Sequence, residues 1–284
     1  MDAEACLLDT ETIIDGSRIG RLQLTVVALG ALVMFIDGFN TQVIGYITPQ
    51  VARNWHIPNA MLGPLFSAGL AGVLIGYLSA PPLSGRFGHR RVMIFCTALF
   101  GTLTLLTSSA GNLDALILFR FLTGLGLGGA MPSANALIAE YAPRTWRSTF
   151  MVAGNCGVSL GSIVAGALSA LLLHRFGWQP VLWVGGVLPL LLALLLAALL
   201  PESLEYLIRR QAGRGRIVAI LQRVRPGLSV PDAARIICGS GSAGGSVSEL
   251  FRAGRTIGTV AVWLGFAMNL LVYFFIQSWL PTIF

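Results

Sequence analysis

LQLTVVALGALVMFIDGFNTQVIGYITPQ, Leu22 to Gln50, carries a single charged side chain, the carboxylate of Asp37 near its middle. The apolar residues run on without alternating with polar ones, so the stretch reads as a helix and not as a barrel strand. It is longer than the roughly 20 residues that cross a hydrocarbon core about 30 Å thick. It is not a cleavable leader, because 21 mostly polar residues precede it and no small-residue cleavage site closes a short apolar core. The reading is a transmembrane helix, and Asp37 has to be explained within it.

The same pattern recurs along the chain at about 60–82, 92–110, 115–140, 149–173, 178–200 and 257–284. Seven spans are therefore expected, in an all-α membrane protein. Composition agrees. Of 284 residues 55% are hydrophobic and 11% charged, with a mean hydropathy of +0.77. A soluble domain carries about 25% charged residues and needs them to cover its surface.

Charge sets the orientation. The chain contains no lysine, so its 19 basic residues are all arginines. With the N-terminus inside, the short inner loops hold Arg18, Arg21, Arg86, Arg90, Arg91, Arg144 and Arg147, against Arg53 and Arg175 outside. The positive-inside rule then places the N-terminus in the cytoplasm. The pI of 9.9 follows from this distribution. No basic-aromatic module accompanies it, so nucleic acid is not expected as a partner.

Four segments are expected: a cytoplasmic tail over 1–21, a six-helix domain over 22–200, a cytoplasmic loop over 201–255, and a seventh span over 256–284. In the loop, Leu204, Leu207 and Ile208 and then Ile217, Val218, Ile220 and Leu221 suggest two short amphipathic helices. Gly239–Ser248 reads as a flexible linker. A faint internal echo, Arg86-Phe87-Gly88 and Arg175-Phe176-Gly177, follows the second and the fifth span. That register suits two three-span units, inverted with respect to each other.

Two enzyme-like patterns have simpler explanations. Gly124-Leu-Gly126-Leu-Gly128-Gly129 lies inside a helical run with no preceding strand, so it is not a dinucleotide loop. Gly157-Val-Ser159-Leu-Gly161 lacks the strand-to-helix turn of a hydrolase nucleophile. Both suit close packing of membrane helices, the second as part of a Gly154, Gly157, Gly161 and Ala165 face. Cys6, Cys96, Cys156 and Cys238 are scattered, and His56, His89 and His174 stand alone at loop edges, so no metal site is indicated.

Asp37 remains. It is either a buried carboxylate satisfied by its neighbours or held protonated, or a proton or substrate site in a wet pathway. An ionisable residue inside a span favours function. Arg120, about a turn inside the outer end of span four, is its natural partner; it could reach Asp37, a carbonyl of span one, or an anionic substrate. Asn40 lies three residues beyond Asp37, on the same helix face.

These residues carry a resemblance. Leu83-Ser-Gly-Arg86-Phe-Gly88-His-Arg90-Arg91 resembles the signature loop of the major facilitator superfamily, and Arg120-x-x-x-Gly124-x-Gly126-x-Gly128 resembles its proton-coupling motif. Asp37-Gly-Phe-Asn40-Thr, the Gly124–Pro132 stretch, Pro201-Glu202-Ser203 and Ser278-Trp-Leu-Pro281-Thr are similar to the aromatic acid:proton symporters. The resemblance implies a six-helix half of that fold, built of 3+3 inverted repeats, with one further helix. It implies a symporter in a bacterial inner membrane that carries benzoate-type or hydroxybenzoate-type anions with protons and needs no cofactor, monomeric in the intact family. Asp37 and Arg120 would couple the proton. Asn40, Gln42, Tyr46, Asn135 and Asn155 would line the substrate path. Arg86, Gly88, Arg90, Glu140, Arg144 and Glu202 would form the cytoplasmic gate, with Glu140 and Arg144 available for an ion-pair network with Glu202 and Arg86.

The chain departs from the family at Gly85 and Asn40, where acidic residues are usual, and at Leu204-Glu205 in place of Pro-Arg. The family has two six-helix halves, so a sequence ending after span seven is expected to be a fragment or a truncated product. The alternative function is a non-transporting half-carrier, a remnant or a membrane interaction partner.

Overall fold

The computed structural model describes residues 7–17, 19–58, 61–211, 213–228, 231, 235–237 and 256–283. The linker at 239–248, Cys6 and Cys238 lie outside them. Six of the helices formed by the described residues are long and apolar enough to cross a membrane: α2 (Arg21–Trp55), α3 (Leu62–Phe87), α4 (His89–Thr107), α5 (Leu113–Tyr141), α6 (Arg144–Phe176) and α7 (Gln179–Leu199). A further helix, α10 (Thr256–Ile283), lies along α2. The helices α2, α5 and α6 extend past their apolar runs at both ends, because the helix continues into the polar boundary where its backbone still pairs internally.

The packing pairs α2 with α6 and α3 with α5, with α4 against both α5 and α7. Exchanging the units α2–α4 and α5–α7 maps the first pair onto the second, as a two-fold relation between inverted repeats requires. The echoed tripeptides sit at equivalent places. Gly88 ends α3 and Gly177 ends α6, at φ +94° and +82°, where a residue with a Cβ is strained.

Glycine decides both main contacts. The buried residues of α6 are Gly154, Gly157, Gly161, Ala165 and Ser169, one stripe against α2. A Cβ at Gly157 would stand 2.6 Å from the Ala31 carbonyl oxygen, and one at Gly76 would stand 2.5 Å from that of Leu125. Lipid tails are as apolar as leucine, so membrane helices gain by close backbone approach rather than by hiding apolar area. Accordingly Leu74, Leu78, Ile163, Leu171 and Leu194 stay exposed on the outer faces.

Two apolar clusters fill the interior. One holds Val43, Ile47, Leu65, Leu116 and Leu182, near an edge-on Trp55–Trp178 pair at 5.9 Å. The other holds Met34, Phe100, Leu137 and Ile138 and continues below the bundle. There the central loop forms α8 (Leu204–Arg209) and α9 (Arg214–Val224), the two amphipathic helices expected.

The residues read as a tail contain structure that no local pattern announced. Strand β1 (Leu7–Asp9) pairs in parallel with β2 (Arg235–Ile237), and α1 (Thr10–Asp15) follows at once. Asp9 caps α1, accepting from the Glu11 amide at 3.1 Å. Ile13 and Ile14 bury against the cluster that includes Ile217, Leu221 and Val224 of α9. Asp15 accepts from the Arg144 amide at 2.7 Å, at the first turn of α6.

Candidate functional site

Asp37 opens onto a cavity of ≈ 240 Å³ bounded by α2, α3 and α5, with Val158 of α6 also in its wall. Its placement follows from its neighbour. Gly38 lies against the backbone of Val158 in α6, so the next position back, about 100° around the helix, turns towards α3 and α5. Arg120 enters by the same logic. It shares a helix face with Gly124, which packs on the backbone of Gly69 and Val73, so its side chain is carried to the α2–α3 side. Asp37, Asn40 and Arg120 all line the cavity.

Their electrostatics differ. Arg120 is 5% exposed, and its Nε and Nη2 have no hydrogen-bond partner among the described residues. Nor is it within ion-pair distance of Asp37, which stands half-buried on the same wall. A buried guanidinium without partners is costly, and an anion is the group that satisfies it. Asn40 is the opposite case. Its Nδ2 donates to the carbonyls of Gly185 at 3.0 Å and Ile36 at 3.2 Å, and its Oδ1 accepts from Thr104 Oγ1 at 3.3 Å. The amide is engaged in joining α2 to α4 and α7.

The rest of the wall is apolar, with Leu65, Phe66, Leu70 and Val73 prominent. It also includes Tyr77, whose hydroxyl donates to Met131 Sδ at 2.9 Å, and Thr41 and Thr123. None of these three was expected from the sequence. Tyr77 was open to discovery as a hydroxyl inside the apolar run of α3; the threonines look like any helix threonine until the cavity is seen.

Four of the expected substrate residues lie away from this cavity. Gln42 and Asn135 each bury an amide oxygen with no partner among the described residues. Tyr46 faces α6 at Gly166, where an added Cβ would stand 2.9 Å from its hydroxyl. Asn155 is exposed on α6 and donates to the Met151 carbonyl at 2.8 Å.

The expected gate residues gather around the segment after α7, by amides rather than by ion pairs. Glu202 Oε1 accepts from the amides of Arg90 and Ser203, both at 3.1 Å, so the carboxylate sits at the start of α4. Gly88 makes room for it. Glu140 Oε1 accepts from the Glu205 amide at 2.8 Å, and the Tyr141 hydroxyl donates to the Glu202 carbonyl at 2.5 Å. Arg90 donates to the Ala197 carbonyl at 2.5 Å. The Arg86 carbonyl accepts from Arg210 at 2.8 Å, and the Arg144 amide goes to Asp15. Among the described residues no ion pair joins Arg86, Arg90 or Arg144 to Glu140 or Glu202. Burial pushes the Glu202 carboxyl up from its ordinary value, against the amides of Ser203 and Arg90 and the charges of Arg90 and Arg91.

Known proteins resemble the chain at both levels. A 4-hydroxybenzoate transporter of Pseudomonas putida is 37% identical over 97% of this chain and 62% of its own length. A gallate transporter of the same species is 36% identical, with the same coverage. A benzoate transport protein of Acinetobacter baylyi is 28% identical over 97% of this chain and 60% of its own length. The chain thus spans about three fifths of the curated relatives it matches. Among solved structures, the proton:xylose symporter XylE superposes with a TM-score of 0.64 at 19% identity, covering 72% of this chain and 50% of that one. An inward-facing bacterial homologue of the lysosomal transporter Spinster gives 0.58 at 20% identity, covering 66% and 44%. A family profile described as Major Facilitator Superfamily matches residues 30–284, and with these relatives and this fold the chain belongs to that superfamily of membrane transporters.

Proposed function

We propose that the chain supplies the N-terminal half of a proton-coupled carrier of small aromatic carboxylates, of the benzoate and hydroxybenzoate class. The carrier works in a bacterial inner membrane with its N-terminus in the cytoplasm. Residues 22–200 are then the six-helix transporter domain, 201–255 the cytoplasmic connection, and 256–284 the first helix of a second domain. One observation carries the reading: buried Arg120, whose Nε and Nη2 have no partner among the described residues, shares a largely apolar cavity with Asp37. An aromatic carboxylate matches both features, its anion on Arg120 and its ring against Phe66, Leu70 and Val73.

Asp37 takes the proton. A carboxylate in a site of low dielectric is inexpensive when protonated and demands a cation when ionised. Substrate on Arg120 removes the cation that Asp37 could otherwise use, so the anion and the proton enter together. Gln42, Tyr46, Asn135 and Asn155 belong to the polar path outside the cavity, and Asn40 holds α2 in place. The relatives that carry 4-hydroxybenzoate, gallate and benzoate support the substrate class. The shared fold of a proton:xylose symporter is compatible with coupling to protons.

The test uses this chain completed with the second half of a 4-hydroxybenzoate transporter, in cells lacking other carriers. Asp37→Asn should abolish protonophore-sensitive accumulation of 4-hydroxybenzoate while substrate counterflow, which needs no net proton movement, persists. Normal accumulation by Asp37→Asn would place the proton site elsewhere.

A further inference from the structure

At the end of the bundle that carries α8 and α9 lies a second cavity of ≈ 790 Å³, separate from the Asp37 site. Six arginines line it: Arg86 from the end of α3, Arg90 and Arg91 from the first turn of α4, Arg210 just past α8, and Arg216 and Arg223 from α9. The carboxylate among the lining residues is Glu202, and its Oε1 already accepts two backbone amides. Among the described residues none of the six arginines forms an ion pair. Two are held in place through carbonyls, Arg90 by Ala197 and Arg210 by Arg86, and Arg90 Nε is buried without a partner among the described residues. The groove is therefore strongly cationic and partly preorganised.

Its remaining walls are apolar and lead into the membrane-facing side of the bundle. Phe87 and Leu199 line the groove and are exposed, and along α7 exposure continues through Leu195, Leu194 and Leu191. A soluble anion gains from the arginines alone and leaves this apolar strip unused. A molecule with a phosphate at one end and hydrocarbon at the other uses both. Guanidinium groups grip phosphate oxygens in pairs, and basic pockets at the membrane boundary attract acidic lipids.

We infer that this groove binds the phosphate headgroup of an anionic phospholipid, with an acyl chain along Leu199 and Leu195. The lipid then ties α9 to the ends of α4 and α7 and holds the central loop at the membrane surface. The site does not depend on what the Asp37 cavity carries.

The test is native mass spectrometry of the purified full chain in detergent micelles doped with phosphatidylglycerol or with phosphatidylcholine of the same acyl chains. Phosphatidylglycerol should be retained on the order of tenfold more. Combining Arg91→Gln, Arg216→Gln and Arg223→Gln should reduce its retention to the phosphatidylcholine level, while Arg53→Gln at the far end of α2 leaves it unchanged. The matching triple lysine variant, which keeps the charge, should retain most of the binding. Arg223→Gln alone, at an exposed position that threatens no packing, should still lower retention severalfold. Equal retention of the two lipids, or full retention by either glutamine variant, overturns the site. Displacement of phosphatidylglycerol by millimolar inorganic phosphate would make it a soluble-anion site and overturn the lipid assignment.

Discussion

Gly88 and Glu202 interlock. A Cβ at position 88 would stand 2.8 Å from Glu202 Oε1, and the backbone there holds φ at +94°. Both facts point to one substitution. Gly88→Ala combines a strained backbone with a clash at the carboxylate that caps α4, and should cost about 1–3 kcal/mol. Thermal unfolding of the purified chain in detergent, followed by tryptophan fluorescence, checks this; an unchanged midpoint would mean that the α3–α4 turn yields freely.

Glu202 itself should make stability depend on pH. Burial raises its carboxyl in the folded chain, so the folded state holds the proton more tightly than the unfolded one. Its contribution is then complete below the unfolded value of about 4.3. It is lost as pH rises through the raised folded value. Glu202→Gln cannot titrate, so the wild-type midpoint minus the variant's should fall as pH climbs from that point. A difference that rises with pH would show that the neighbouring arginines and amides outweigh burial.

Asn40 is expected to act through packing. Asn40→Asp would set an acceptor against the carbonyls of Gly185 and Ile36 and should destabilise by about 1–3 kcal/mol. Thr104→Val removes the hydroxyl that reaches Asn40 Oδ1 at 3.3 Å and the Phe100 carbonyl of its own helix at 2.8 Å, but leaves the Asn40 amide its two carbonyls, and should cost less, about 1 kcal/mol. Denaturant titration ranks the two; a neutral Asn40→Asp would indicate that the carboxyl is protonated and donates in place of the amide.

The α2–α6 contact should reject a single methyl group. A Cβ at Gly161 meets the Phe35 carbonyl oxygen and would lie 2.9 Å from the Phe39 amide nitrogen. Gly161→Ala should cost about 1–3 kcal/mol or more. Gly63→Ala, with nothing within 4 Å of the new carbon, is the control. Comparable midpoints for the two variants would refute close backbone packing at this stripe.

Arg120 separates charge from shape. In the completed carrier, Arg120→Lys keeps the cation but loses the planar fork, and should weaken 4-hydroxybenzoate binding by about tenfold. Arg120→Gln should weaken it further. Equilibrium binding in detergent measures both, and equal affinity for all three proteins would remove Arg120 from the anion site.

The sequence by itself determined the spans, the small-residue faces and the repeat register, because each is written locally. Hydropathy sums over neighbours along the chain. A face of Gly154, Gly157, Gly161 and Ala165 follows from helical spacing, and the glycines of Arg86-Phe87-Gly88 and Arg175-Phe176-Gly177 end their helices in the same way. Asp37 and Arg120 stood out for a local reason too, as charges inside apolar runs. Only the tertiary structure decided who meets whom. Asn40 lines the cavity beside Asp37, as its place on the helix suggested, but its amide is taken by Gly185, 145 residues away. Tyr77 joined the site through the packing of α3 on α5, and the segment at Leu7–Asp9 found its partner at Arg235–Ile237. Hydrogen bonds and close packing act over a few ångströms of space, and separation along the chain does not reveal that proximity until the helices have assembled.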